Sequence, residues 1–302
     1  MLALRFPQNP RNVLDCADWM ELKALISPSR GCSIALVERN LTRLAAYDER
    51  RAIDQIARVE TACSEILGEI SRRRIAAAVA YPFKLRGTDL YLSGSPEEFT
   101  CYVFCLCLSW FGWKPRRGRR IFPRRMFEDL SKHAAEAFIG GKAVRFGAPR
   151  TEMPKPFKKA LLHLCLSIGE GQVKTLRRSV HAQDDKMDLI AWKDFPDKAV
   201  GKLFLVGQCA SGKDWEGKLR ELDKDVFFDE WFADRPPSLK QMGIGFFLPH
   251  RIHREKWASV TRRAGIVFDR CRIAYWSHKN RNFRNRDTYV AWSRSTLGEV
   301  KG

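Results

Sequence analysis

The chain has 302 residues and a formal net charge of +19, with 45% hydrophobic and 29% charged residues. That apolar content, including 19 Phe and 9 Trp, is enough for buried cores and excludes wholesale disorder, and the length allows about two domains. A positive surplus of this size calls for an anionic partner, with nucleic acid ahead of a membrane surface; an acidic protein subunit is the alternative.

In chain order, the opening "MLALRFPQNPRN" lacks the basic start and sustained apolar run of a signal peptide. From Ser33 to Arg74, Leu36, Leu41, Leu44, Ile53, Ile56, Val59 and Ile66 recur at helical steps, and no Gly or Pro interrupts Ser33 to Leu67, which predicts helix. Ser95 and Pro96 in "SPEEFTCYVFCLCLSWFG" predict a helix entry. The apolar stretch there is shorter than the roughly 20 residues of a membrane span, so a soluble, cytoplasmic protein without membrane contact is expected. The nine cysteines are an odd number in a chain too long for a disulfide-framework domain. Cys101, Cys105 and Cys107 form the one cluster, and it lacks the paired C-x-x-C steps of a zinc site, which predicts buried thiols in a reducing cytosol. Phe127 to Ile139 predicts an amphipathic helix ended by Gly140 and Gly141.

"RFGAPRTEMPKP" marks a soft boundary near residues 147 to 156, dividing a helical, basic region 1–150 from an α/β region 151–302. Beyond it, Phe157, Leu161, Leu164, Cys165 and Ile168 share a helical face closed by Gly169. "DLIAW" from Asp188 and "LFLV" from Leu203 predict two strands joined through the turn residues of "FPDKAVGK". Asp214 is a candidate cap for a helix over "DWEGKLREL", and "MGIGFFLP" and "IVFDRCRIAYW" supply further strand or buried-helix material.

"GQCASGKD" falls one residue short of a phosphate-binding loop, because Asp214 stands where a Ser or Thr would bind magnesium. The acidic "VFFDE" run lies too close downstream for the crossover that a parallel nucleotide-binding sheet needs. The other reading pairs Asp188 at the start of one strand with Gln208 at the end of the next, followed by Lys213 and then Lys218. A carboxylate and an amide oxygen suit a hard cation, and a lysine suits charge developing on a phosphate.

These residues carry a resemblance to the PD-(D/E)XK, or restriction-endonuclease-like, nuclease superfamily, over about Phe157 to Leu222. That family has an acid on its first core helix, an Asp leading the second strand, and an acid or Gln followed two residues later by Lys on the third. Asp188 resembles the central Asp, Gln208 the Gln variant of the second position, and Glu170 the helical acid; Asp184 and Asp185 stand close by. Ala210 occupies the family's lysine position, so Lys213 is the nearest displaced candidate. The resemblance implies a central mixed sheet flanked by helices, preceded here by a mainly helical region. It implies Mg2+ or Mn2+ held by Asp188 and Gln208, hydrolysis of nucleic acid (DNA first), a role in restriction or antiviral defence, and control by a partner protein. The alternatives are an inactive nucleic-acid-binding or adaptor subunit and a nucleotide hydrolase.

Two basic runs form the expected substrate footprint: Lys114, Arg116, Arg117, Arg119, Arg120, Arg124 and Arg125 in "WKPRRGRRIFPRR", and Arg281, Arg284 and Arg286 in "HKNRNFRNR". His250 and His253, three residues apart beside Pro249, lack a third ligand and read as phosphate-contacting or positioned histidines.

Overall fold

The structure is a computed structural model that describes residues 2–9, 12–45, 52–112, 123–174, 186–234, 237–280, 283 and 286–301. Its helices are α1 (Val13–Ile26), α2 (Ile34–Ala45), α3 (Ala52–Ala77), α4 (Thr100–Phe111), α5 (Pro123–Ile139), α6 (Phe157–Ile168), α7 (Lys224–Trp231), α8 (Trp257–Ala264), α9 (Arg270–Lys279) and α10 (Arg286–Gly298). The central sheet has strands β1 (Lys142–Arg145), β2 (Leu189–Lys193), β3 (Leu203–Cys209), β4 (Met242–Phe247) and β5 (Ile266–Phe268), in spatial order β5-β4-β3-β2-β1. Strands β1, β2 and β3 form an antiparallel meander, with Val144 opposite Ile190 and Ile190 opposite Val206. After α7 the chain returns as β4, parallel to β3, and β5 lies parallel to β4. A small ladder joins Gly31–Cys32, Asp89–Leu92 and Phe83–Arg86. The chain is thus α/β, with a mixed five-stranded sheet flanked by helices and a helical N-terminal region.

Alternation along the strands gives the sheet two faces. Leu189, Ala191, Leu205 and Cys209 join a cluster with α1, α4, α5 and α9. Ile190, Trp192, Phe204 and Val206 join a second cluster with Phe157, Leu161 and Leu164 of α6 and Phe227, Phe228 and Trp231 of α7. A third, smaller cluster holds Ala210, Trp215, Leu219, Phe246 and Val260 under α8. The first cluster runs from Cys16 to Trp292, so the N-terminal helices share a core with the sheet. The segment 147–156 is therefore no boundary between separate cores: β1 precedes it yet pairs with β2, which follows it.

The stretch 33–74 is helical as expected, in α2 and α3, with residues 46–51 outside the described set. Other local expectations shift. Ser95 and Pro96 form a turn, with the amides of Glu98 and Phe99 donating back to their carbonyls, and α4 starts at Thr100. Asp214 opens only a short 3-10 turn, Trp215–Lys218, without a side-chain cap bond. The helix begins at Lys224 instead, where the Asp223 carboxylate accepts from the amides of Asp225 and Val226, so "VFFDE" is helical rather than an acidic strand. Asp269 likewise caps α9 and ends β5 inside "IVFDRCRIAYW". Cys101, Cys105 and Cys107 are buried on α4, where burial pushes the Cys101 thiol up to about 12. No helix among the described residues is long and apolar enough to cross a membrane.

Candidate active site

At the edge of the sheet where β3, β4 and β5 end, β2 begins, because it runs antiparallel to β3. Asp188 is the residue just before β2, and its backbone is fixed on both sides. Its amide donates to Gly207, and its carbonyl accepts from the amides of Phe146 and Gly147. The Asp188 carboxylate accepts from the Cys209 amide at 2.7 Å. It therefore reaches across the end of β3, beside the face that carries Cys209 and α5.

On that face lies Glu128, from the first turns of α5. A Cβ placed on Gly147 would lie 3.1 Å from Glu128 Oε2 and 3.2 Å from Asp188 Oδ1. Both carboxylate oxygens therefore border the small space that this glycine leaves open. The Arg145 guanidinium, buried at the end of β1, donates from Nη1 to Glu128 Oε2 at 3.2 Å. Arg145 also donates to the carbonyls of Gly147 and Pro149 and to the Thr151 hydroxyl, and pairs with Asp129, so it latches the 147–151 loop against the two carboxylates. Arg124, four residues before Glu128 on α5, places Nε 3.6 Å from Glu128 Oε1, with 61% of its side chain exposed. Burial raises the Glu128 pKa above its ordinary value, against the opposing pull of Arg145 and Arg124. Burial wins because the Arg145 charge is divided among two carboxylates and three neutral oxygens. The Cys209 thiol is pushed well above its ordinary value by burial and by the nearby Asp188 and Glu128 charges, so it is no nucleophile here.

The other sequence candidates lie elsewhere. Gln208, one residue along β3, has its side chain toward the opposite face, where Nε2 donates to Glu221 Oε2 at 2.9 Å. Ala210 packs on that side among Trp215, Leu219 and Phe246. Lys213 is exposed and its charge acts on Asp15 of α1. Glu170, just beyond α6, is at the other end of β3. It accepts from the amides of Gly201 and Ser238 and from the Ser238 hydroxyl, and sits 3.8 Å from Lys202 Nζ. The structure thus brings Asp188 together with Glu128, and brings neither Gln208, Lys213 nor Glu170 to that pair. Asp184 and Asp185 lie outside the described residues, as do Lys114, Arg116, Arg117, Arg119, Arg120, Arg281 and Arg284. Arg124 and Arg125 open α5, and Arg286 opens α10 with its guanidinium 5.6 Å from the Phe283 ring. Among the described residues no group of three or more His, Cys, Asp or Glu is arranged to hold a metal ion.

Glu128 had a signal in the sequence. In "RRMFEDLSKHAAEAFI" it shares a helical face with Ser131 and Ala135, small residues that let a helix approach a sheet closely. An acid on that face must be paired or used.

A second group at the same edge had no such signal. Asp18 and Glu21 of α1, Glu69 and Arg73 of α3, Arg251 after β4, and Asp269 and Arg270 after β5 form one buried ion network. Arg73 contacts Asp18 at 2.7 Å, Glu21 at 3.0 Å and Glu69 at 2.9 Å, and Arg270 contacts Asp18 at 2.5 Å. The hydroxyls of Tyr81 and Tyr102 donate to Glu21. Burial opposes ionisation of Glu69, yet Arg73 and Arg251 hold its pKa down to about 2. His250 stands beside this network with Nδ1 2.8 Å from the Ser109 hydroxyl and Nε2 3.1 Å from the Gly212 carbonyl. Burial lowers its pKa, and with both ring nitrogens engaged it is not half of a metal pair with His253.

No family model, no curated protein and no solved structure matches this chain.

Proposed function

We propose that this chain is a metal-dependent nuclease that hydrolyses phosphodiester bonds, with DNA as the substrate to test first. The observation that carries the reading is the meeting of the Glu128 and Asp188 carboxylates across Gly147 at the carboxyl edge of β3. The order of elements supports it: an acid on α5, then β1, an Asp leading β2, an antiparallel β3, and a parallel β4 after α7. This is the order that the resemblance to restriction-endonuclease-like enzymes implies, with Glu128 in the role expected of Glu170. Charge supports the substrate class. Among the described residues seven acids and six bases are buried, so the +19 surplus belongs to residues outside that buried set, where it attracts a polyanion.

Two hard oxygen donors flanking a space that one methyl group would fill suit a small divalent cation such as Mg2+ or Mn2+, which keeps several of its own waters. Glu128 and Asp188 would hold it; when bound, it supplies a polarised water and offsets phosphate charge. The remaining work belongs to the chain. The Cys209 amide fixes the Asp188 carboxylate, and Arg145 fixes Glu128 together with the loop that carries Gly147. Because burial raises the Glu128 pKa, Glu128 ionises only above the ordinary carboxylate range, so cleavage increases as pH rises past that range.

The direct test is cleavage of linear DNA with Mg2+ or Mn2+ by wild type, Glu128→Ala and Asp188→Ala. Loss of cleavage in both variants, with DNA binding kept, supports the reading; activity retained in Asp188→Ala sinks it. A second reading, a DNA-binding or adaptor subunit that does not cut, is favoured by Ala210 lying among apolar side chains and Gln208 turning to Glu221. Binding by wild type without cleavage under either metal would select it.

A further inference from the structure

Hydrolysis at a carboxylate pair leaves one need unmet: a cation to face the phosphate as negative charge builds on its non-bridging oxygens. The position where the resemblance expects a lysine is Ala210, and the nearby lysines lie away from the pair or are already bonded. Lys213 is exposed and lies near Asp15. Lys218 ends the turn that covers the Gln208 side of the sheet, away from Glu128. Lys132, one turn beyond Glu128 on α5, is buried and bonds Glu152 at 2.5 Å. Arg145 is 1% exposed, held by hydrogen bonds to Glu128 and the 147–151 loop and paired with Asp129, so it does not face solvent.

Arg124 differs from all of these. It lies one helical turn before Glu128, on the same face of α5, with its Nε 3.6 Å from Glu128 Oε1 and most of its side chain open to solvent. Its charge also reaches Cys209, which neighbours Asp188 on the sheet. We propose that the Arg124 guanidinium supplies the positive charge that Ala210 does not, contacting the scissile phosphate beside the Glu128–Asp188 pair. This rests on the nuclease reading above. An arginine suits the task, because its planar fork matches two phosphate oxygens and stays charged at any working pH. In the step it serves, a water oxygen bonds to phosphorus and the bond from phosphorus to the leaving sugar oxygen breaks. The water gives up one proton to solvent and the leaving oxygen gains one. Arg124 exchanges no proton; its N–H groups donate to the non-bridging oxygens throughout.

The experiment measures kcat and KM for cleavage of linear duplex DNA by wild type, Asp188→Ala, Arg124→Ala and Arg124→Lys, with DNA binding measured in Ca2+. Removing one such donor costs about 100-fold or more in kcat, so Arg124→Ala falls by that much with KM moved by less than about threefold. Arg124→Lys restores at least about tenfold of the loss, which a purely structural residue would not require. If Asp188→Ala abolishes cleavage while Arg124→Ala keeps kcat within about threefold, the Arg124 assignment fails and the nuclease reading stands. A raised KM at unchanged kcat also overturns it, making Arg124 a docking residue. Wild type that cleaves no more than Asp188→Ala removes both.

Discussion

Buried carboxylates gather at two places along one edge of the sheet, and arginine meets them in different ways. In the α1–α3–β4–β5 network, four acids face three buried guanidiniums and two tyrosine hydroxyls, and Arg73 alone contacts three of the acids. At the α5–β2 pair, two acids border the space beside Gly147, and one of the two arginines near Glu128 is largely exposed. In the network every acid meets a buried arginine or tyrosine, so the cluster holds helices to the sheet. The pair instead borders a gap beside Gly147, with a largely exposed guanidinium next to it, and that leaves room for a ligand to approach.

The largest test of that contrast falls on the network. Arg73→Met leaves Asp18, Glu21 and Glu69 buried with less opposite charge, which costs about 3–5 kcal/mol of unfolding free energy in a denaturant titration. A loss under about 1 kcal/mol would mean that the network does not hold the helices as described.

Gly147→Ala tests the other side. The glycine's backbone is one that alanine tolerates, but the added Cβ would crowd Glu128 Oε2 and Asp188 Oδ1. Cleavage is expected to fall about 10- to 100-fold, because small misplacements of reacting groups are costly, while the unfolding midpoint moves little. Equal cleavage by Gly147→Ala and wild type would show that the gap is not used.

Glu170 offers a smaller effect and a control. It ties Gly201, Lys202 and Ser238 together at the opposite end of β3. Glu170→Gln keeps some of that bonding and leaves Lys202 without its carboxylate, costing about 1–2 kcal/mol of stability. Cleavage per folded molecule should stay unchanged; a selective loss would return Glu170 to the site.

These placements mark what could be read in advance. Asp188 was legible because its apolar run starts immediately after it, and β2 begins at Leu189. The β2–β3 hairpin was legible from turn residues between two short apolar runs. Gln208 misled although the ladder sets it across from Asp188: the Asp188 carboxylate accepts from the Cys209 amide, while the Gln208 side chain turns to Glu221. Glu170 misled because helix α6, although nearest in sequence to β2, covers the far face of the sheet, whereas α5 covers the face with the pair. The Asp18–Arg270 contact joins residues at opposite ends of the chain, and no local pattern announces such a pair.

The subtlest difference between the two regions is the sign of their response to pH. Glu69 is held down to about 2, so the stability it contributes is fully present above its ordinary value of 4.5 and is lost as pH falls from there through about 2. Glu128 is shifted up, so its contribution is fully present below 4.5 and is lost as pH rises through its raised value. Comparing the unfolding free energies of Glu69→Gln and Glu128→Gln with wild type at several pH values separates them. The penalty of Glu69→Gln should shrink as the solution is made acidic. That of Glu128→Gln should shrink as it is made neutral, since glutamine imitates the protonated acid and wild type then bears the cost of a buried charge. Slopes of the same sign would mean that the arginines at Glu128 outweigh its burial. The pair would then be governed by its arginines as the network is, and the physical distinction between the two regions would collapse.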